Sequence, residues 1–374
     1  MMDVTSLADF GLGWLDASGP NSDIVLSTRV RLARNLQGHA FSPRIRDNER
    51  EQIFEQVRAA AEQHSALQGG ISFHLSSLNT LSRRVLHERH LISRELSGGT
   101  GGETPARGAG LILGPRDTLG VMVNEEDHLR LQALLSGLRL DDAYAAVDAL
   151  DEELGERLPF AYHQEFGYLT SCPTNVGTGL RASVLVHLPA LVLTKEIGRV
   201  LQGISNIGLT FRGLYGEGSE VVGNFFQISN QTTLAKTEED LLEHLAKTVN
   251  QVIGYEQQAR QVLLRDAPAV IDDKIWRAYG LLRYARSLTF EEVMSLLSGV
   301  RLGVSLNLLK GLRVYTLNKI MIYAQTAHLE QAAGRALTEA EGDLHRATYV
   351  RRLLTAEGDV APEEGNPGRS GGAK

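Results

Sequence analysis

The sequence holds little of what would place it outside the ordinary globular classes. It has one cysteine in 374 residues. That excludes an intramolecular disulfide and fits a reducing compartment. No apolar run reaches the roughly 18 residues of a membrane-spanning helix, and no secretory leader pattern opens the chain. Basic charge is not in excess: 38 Lys+Arg against 45 Asp+Glu give a formal charge of −7. A general nucleic-acid binder shows the opposite balance, whereas a negative surface suits basic protein partners. With 43% hydrophobic and 22% charged residues, the chain has the composition of a folded domain protein. The expectation is a cytoplasmic protein with no membrane or nucleic-acid partner. Its length gives roughly two domains at about 150 residues each.

Periodicity organises the chain into two textures. Residues 1–22 form a short lead. Ile24–Ser27, Ile71–Leu75 and residues 111–114, 119–124, 162–169, 207–212 and 222–229 read as strands. Helical spacing marks residues 47–67, with Ile53, Phe54, Val57 and Ala61 on one face, and residues 126–137, 142–154 and 189–204. The glycine-rich stretch 97–110 lacks the Lys-Ser/Thr ending of a P-loop and reads as a mobile connection. From Thr237 the pattern turns almost wholly helical. Thr237-Glu238-Glu239-Asp240, Thr289-Phe290-Glu291-Glu292 and Thr338-Glu339-Ala340-Glu341 read as helix starts. Residues 357–374 carry Gly, Pro and charge without period and read as a disordered tail. The expected division is a lead (1–22), a catalytic domain (23–255), a helical domain (256–356) and the tail.

Candidate chemistry gathers in four stretches. Residues 171–181, Ser-Cys-Pro-Thr-Asn-Val-Gly-Thr-Gly-Leu-Arg, hold the only cysteine. Its turn offers a soft thiol, several backbone N–H groups suited to anions and the planar fork of Arg181. A lone cysteine beside a loop reads equally as a buried structural residue. Residues 118–131 end an apolar run in Glu125-Glu126-Asp127, followed by His128 and Arg130. Adjacent acids repel and need a cation nearby, unless they are merely the solvated first turn of a helix. The other two stretches are residues 23–36, with Ser27, Arg29 and Arg31, and residues 212–220, Arg-Gly-Leu-Tyr-Gly-Glu-Gly-Ser-Glu. Arg29 and Arg31 are two apart, so on a strand they share a face. A single arginine is usually a surface ion partner.

Together, in this order, the four stretches resemble the motifs of the guanidino-phosphotransferase superfamily. The resemblance covers most of residues 10–350. It implies an α+β fold, an antiparallel sheet flanked by helices, followed by a smaller all-helical domain. It implies ATP with Mg2+ held by the nucleotide phosphates and no metal bound by the protein itself. Its pattern puts the triphosphate on Arg29, Arg31, Arg130, Arg181 and Arg212, with Ser27 and His90 as further nucleotide positions. The acceptor is then a guanidinium, a poor nucleophile until a proton leaves. The family pattern places Glu126 and Glu217 around it, as orienting groups and base, with Cys172 beside it as an electrostatic partner. Metabolite-specific members carry an extra N-terminal helical domain, whereas here the Ser-Thr-Arg-Val-Arg motif begins at residue 27 and a helical region follows the catalytic one. Both features resemble the bacterial protein arginine kinases (McsB type). That branch implies protein substrates presenting arginine, a homodimer, an activator protein and a Clp-type protease system as partners in stress response. The alternative is a phosphagen-type kinase acting on free arginine or another small guanidine. One departure stands out. Where the branch has Arg-Asp-x-x-Arg-Ala, tied to phosphoarginine, this chain reads Gly342-Asp343-Leu344-His345-Arg346-Ala347. Only Asp343 and Arg346 remain of that candidate site.

Overall fold

The structure is a computed structural model describing residues 12–41, 45–99, 103–214 and 221–358. Glu217 and most of the expected tail lie outside these residues, as do residues 100–102 of the glycine-rich connection. In chain order the elements are β1 (Val25–Arg34), α1 (Asp47–Ala61), β2 (Ile71–His74), α2 (Thr80–Glu88), α3 (Arg94–Ser97), β3 (Gly110–Leu113), β4 (Leu119–Val123), β5 (Leu129–Ser136) and α4 (Leu140–Gly155). There follow β6 (Tyr162–His163), β7 (Gly167–Tyr168), β8 (Leu180–His187), α5 (Pro189–Leu193), α6 (Ile197–Asn206), β9 (Leu209–Arg212) and β10 (Phe225–Asn230). The helical part comprises α7 (Glu238–Asp266), α8 (Pro268–Tyr284), α9 (Phe290–Ser305), α10 (Val314–Tyr323), α11 (Thr326–Ala333) and α12 (Glu339–Ala356).

Among the described residues, eight strands form one sheet in the order β2-β3-β4-β5-β1-β8-β10-β9. Every pairing is antiparallel. Side chains alternate between the faces of a strand, and directly paired residues share a face. One face therefore carries Val30, Leu32, Leu131, Ala133, Ala182 and Val184, all buried. Helix α4 packs across β1 and β5, α7 against β8 and β10, and α1 against β3 and β4. The opposite face is polar at its centre. At one end it is closed by a separate apolar cluster in which Phe73, Leu111 and Met122 meet Leu86, Leu91 and Leu96.

The helical starts follow their capping residues. Thr237 and Thr338 each accept the backbone N–H three residues on, from Asp240 at 3.1 Å and Glu341 at 3.4 Å, and each of those acids reaches back. Thr289 accepts from Glu292 at 3.1 Å. The helical part docks on α2 through α11. Glu88 accepts the N–H groups of Ala327 and His328 at 2.8 and 3.1 Å, and Arg84 pairs with Glu330 at 2.8 Å. The described end of the lead is also packed in. Trp14 is buried, and Asn318 donates to the Leu15 carbonyl at 2.8 Å.

The expected helix over 126–137 is wrong: Leu129–Ser136 is strand β5. Leu131, Leu134 and Leu135 have helical spacing, but β5 lies between two strands and is covered on both faces. A strand of that kind is apolar nearly throughout, so its period is lost. Residues 162–169 form a short two-stranded hairpin, β6–β7, with a turn between. The expected helix over 189–204 breaks at Lys195, whose φ is +64°. Strand β8, central to the sheet, was not anticipated.

Candidate active site

The sheet register assembles the arginines. Arg31 sits directly opposite Arg181 on β8 and opposite Gln132 on β5. Ala33 faces Arg130, Arg29 faces Ser183, and Gln227 on β10 faces Arg212 on β9. All five arginines expected from the sequence therefore project from one face. Arg212 lies two strands beyond Arg181 and level with Leu185, four residues further along, roughly 16 Å from Arg181 at the usual strand and residue spacings.

On this face Arg29 and Arg31 are set close to further cations, with Glu125 as a nearby anion. Arg130 pairs with Glu125 at 2.6 Å. Burial opposes ionisation of Glu125, but Arg130, a hydrogen bond from Ser93 and the nearby Arg31 outweigh it and hold the carboxyl at about 2. Arg29 donates through Nε to Gln132 Oε1 at 2.8 Å. Burial and the repulsion of Arg130 lower Arg29 to about 10. Arg31 is lowered well below the usual arginine range by burial and by Arg29, Arg130 and Arg181. Its Nε is buried without a hydrogen-bond partner. Neighbouring guanidiniums with this little counter-charge make a site for a polyanion.

His90 enters from the loop after α2. It sits at φ +62°, and its carbonyl accepts from Arg29 and from Gln132, each at 3.4 Å. Its imidazole lies edge-on to Trp14 with centroids 5.3 Å apart. Burial, then Arg29 and His87, keep that ring from protonating at ordinary pH. Ser27, Arg29, His90, Trp14 and Leu214 line a narrow crevice at this face. A larger apolar groove of about 730 Å³ lies between α6 and α7. It holds none of the five arginines and no arrangement suited to phosphoryl chemistry.

The acidic turn divides its labour. Asn124, at φ +54°, makes the turn and donates to the carbonyls of Arg50 and Gly108. Glu125 balances Arg130. Asp127 accepts from the Ser171 N–H at 2.6 Å and from Asn35 Nδ2 at 2.7 Å. The His128 N–H donates to Asn35 Oδ1 at 2.9 Å, and its Nδ1 accepts from the Leu36 N–H at 3.0 Å. That leaves Glu126, which is exposed and makes no hydrogen bond or ion pair among the described residues. Partial desolvation of its carboxyl, with Asp127 and Glu125 alongside, raises its pKa above the usual glutamate range.

Cys172 stands one residue past Ser171 and is partly exposed. Its Sγ lies 3.0 Å from Thr174 Oγ1. The turn returns to β8 through Gly179 at φ +67°, where a Cβ would lie 2.6 Å from the Ala33 carbonyl oxygen. Only glycine lets the turn pass this close to β1. Asp343 and Arg346 lie elsewhere, in the helical part. Arg346 is buried, donating to the Ala324 and Leu288 carbonyls at 2.7 and 2.9 Å and to Asp343 at 2.6 Å. Gln132, Asn35, Ser93 and Trp14 belong to the site and were not anticipated. Gln132 carried a signal, being polar and two residues from Arg130 within an apolar strand.

Known proteins match this chain in sequence and in fold. The family model described as "ATP:guanido phosphotransferase, C-terminal catalytic domain" matches residues 52–259. A lombricine kinase crystal structure superposes with a TM-score of 0.55 at 26% identity, covering 65% of this chain and 70% of that one. The substrate-free duplicated taurocyamine kinase of Schistosoma mansoni gives a TM-score of 0.55 at 25% identity, covering 72% of this chain and 39% of that one. The chain belongs to the ATP:guanido phosphotransferase family. A second model, "Protein-arginine kinase McsB C-terminal domain", matches residues 268–364. Curated relatives named protein-arginine kinase extend over nearly the whole sequence. That of Moorella thermoacetica is 44% identical over 91% of this chain and 97% of its own. That of Bacillus subtilis is 42% identical over 92% and 93%.

Proposed function

We propose that this protein transfers the γ-phosphoryl group of ATP to arginine side chains of other proteins. The observation that carries the phosphoryl chemistry is that Arg29, Arg31, Arg130, Arg181 and Arg212 project together from one face, with Arg31 Nε buried and without a hydrogen-bond partner. Arg29, Arg31, Arg130, Arg181 and Arg212 take the phosphates, and Ser27 and His90 line the nucleotide cleft. Arginine offers no metal ligand and Glu125 is engaged by Arg130, so Mg2+ would be held by the nucleotide phosphates, whose charge it would screen. A guanidinium fits a carboxylate bidentately. Glu126 orients it and takes its proton, and the family pattern assigns Glu217 a share of the same work. The freed nitrogen forms the P–N bond while the bond from phosphorus to the ADP oxygen breaks. Cys172 lies beside the acceptor and does not form a covalent intermediate.

The protein acceptor is favoured over a free guanidine by the match to the protein-arginine kinase C-terminal domain and by relatives of that name along nearly the whole chain. The family resemblance adds a cytoplasmic location, a homodimer, an activator protein and work beside a Clp-type protease. The test offers ATP with an arginine-rich protein or with free arginine and follows acid-labile phosphate. Phosphoarginine mapped by mass spectrometry on the protein is the expected result. Phosphorylation of free arginine alone would overturn the reading.

A further inference from the structure

Asp127 lies between two residues of the proposed reaction and is itself shielded from reacting groups. It is 3% exposed, and Asn35 is 1% exposed. Asp127 Oδ1 accepts both the Ser171 N–H at 2.6 Å and the Asn35 Nδ2–H at 2.7 Å. Glu126 precedes one end of the first bond, and Cys172 follows the other. Asn35 donates further to the Leu169 carbonyl at 3.1 Å and accepts the His128 N–H at 2.9 Å. Two side chains thus fasten three segments: the exit of β1, the acidic turn and the approach to the cysteine turn. Cys172 is otherwise bonded within its own turn: its carbonyl accepts from Thr170 Oγ1, and its Sγ meets Thr174 Oγ1.

We propose that Asp127, held by Asn35, is a positioning residue that sets Cys172 against Glu126 and so fixes the angle at which the acceptor guanidinium meets the phosphoryl group. The inference rests on the reading that Glu126 and Cys172 flank that guanidinium. An in-line transfer is sensitive to such placement: a shift of about 1 Å can cost about 100-fold in rate. The work needs an oxygen at this point in space, not a charge. An amide oxygen can accept the same two bonds, whereas a carboxylate carried one methylene further cannot reach the same place.

Asp127→Asn and Asp127→Glu in the full chain therefore separate placement from charge. With ATP and an arginine-rich protein, Asp127→Asn is expected to stay within about threefold of the parent in kcat/KM for the acceptor, and Asp127→Glu to lose about 10- to 100-fold with the KM for ATP unchanged. The opposite order, Glu active and Asn inactive, would overturn the proposal, as would equal activity of all three. A second readout needs no turnover. Alkylation of Cys172 by iodoacetamide should run several-fold faster in Asp127→Glu than in Asp127→Asn, because the turn is released; identical rates overturn the clasp. Glu126→Gln keeps the two readings apart. Full activity there removes the acceptor reading, while the alkylation comparison still decides the clasp.

Discussion

Arg31 and Arg34 stand three residues apart on β1 and point to opposite faces of the same sheet. Arg34 brings its own anion. It is 1% exposed, donates to Asp151 at 2.9 and 2.7 Å, donates to the carbonyls of Ala33 and Thr178 and lies 3.4 Å over the Tyr168 ring. Arg31 is set among other arginines, and its Nε has no partner. A guanidinium whose every requirement is met inside the fold serves stability. One left short of negative charge is held ready for a ligand that supplies it. The same contrast holds between the faces: one is closed by α1, α4 and α7, the other left polar and cationic.

The largest effect should come from the group with no role in that balance. Glu126→Gln is nearly isosteric and removes only the base and its charge. The rate of transfer should fall about 10²- to 10⁴-fold, with ATP affinity measured by calorimetry unchanged. Turnover near the parent's would remove Glu126 from the chemistry.

The two arginines can then be exchanged for methionine, which keeps length and loses charge. Arg34→Met strands Asp151 in the interior. Stability should fall by about 3–5 kcal/mol, as when one partner of a buried pair is lost. Arg31→Met removes a charge that burial and its neighbours already disfavour, so its melting temperature should match or exceed the parent's while ATP binding weakens at least tenfold. Thermal melts with and without ATP read both. If Arg31→Met melts early and still binds ATP, the contrast between the faces collapses.

Much of this division can be read in the sequence, and its failures are instructive. Alternation along Ser27-Thr28-Arg29-Val30-Arg31-Leu32 is enough to put Arg29 and Arg31 on one face. The helix starts at Thr237, Thr289 and Thr338 are legible because capping is a local interaction. Strand β5 is misread, because a strand buried on both sides loses its period. The clasp of Asn35, Asp127 and Ser171 is invisible, since its partners lie 92 and 44 residues apart in the chain. Which of three adjacent acids is engaged and which is left exposed likewise depends on long-range partners, Arg130 for Glu125 and Ser171 for Asp127.

A gentler change tests the edge of the cationic face. Arg212→Lys keeps the charge on β9 and loses the planar fork. Because Arg212 lies two strands from Arg181, it contacts one end of the phosphate chain at most. Transfer should drop about tenfold, the equivalent of one charge-assisted hydrogen bond, with the fold intact by circular dichroism. Equal ATP affinity and equal rate in both proteins would show that Arg212 does not touch the nucleotide.

The smallest effect lies in the pH dependence, where it separates Glu126 from its neighbours. The Glu126 carboxyl is raised by burial first, then by Asp127 and Glu125, against the pull of Arg130. A base must be ionised to take a proton, so activity should be lost as pH falls through this raised pKa. The acid limb of kcat/KM should therefore sit above the usual glutamate value, near 4.5. Asp127→Asn removes one of the negative charges responsible while the amide keeps the clasp. Its acid limb should shift toward lower pH, as expected for the loss of one nearby like charge. Rates on the plateau above the limb should hardly move, because a base already ionised gains nothing from a lower pKa. A limb that stays in place in Asp127→Asn but disappears in Glu126→Gln would confine the titration to Glu126 and deny Asp127 any electrostatic part in it. A limb unchanged in both would assign it to another group.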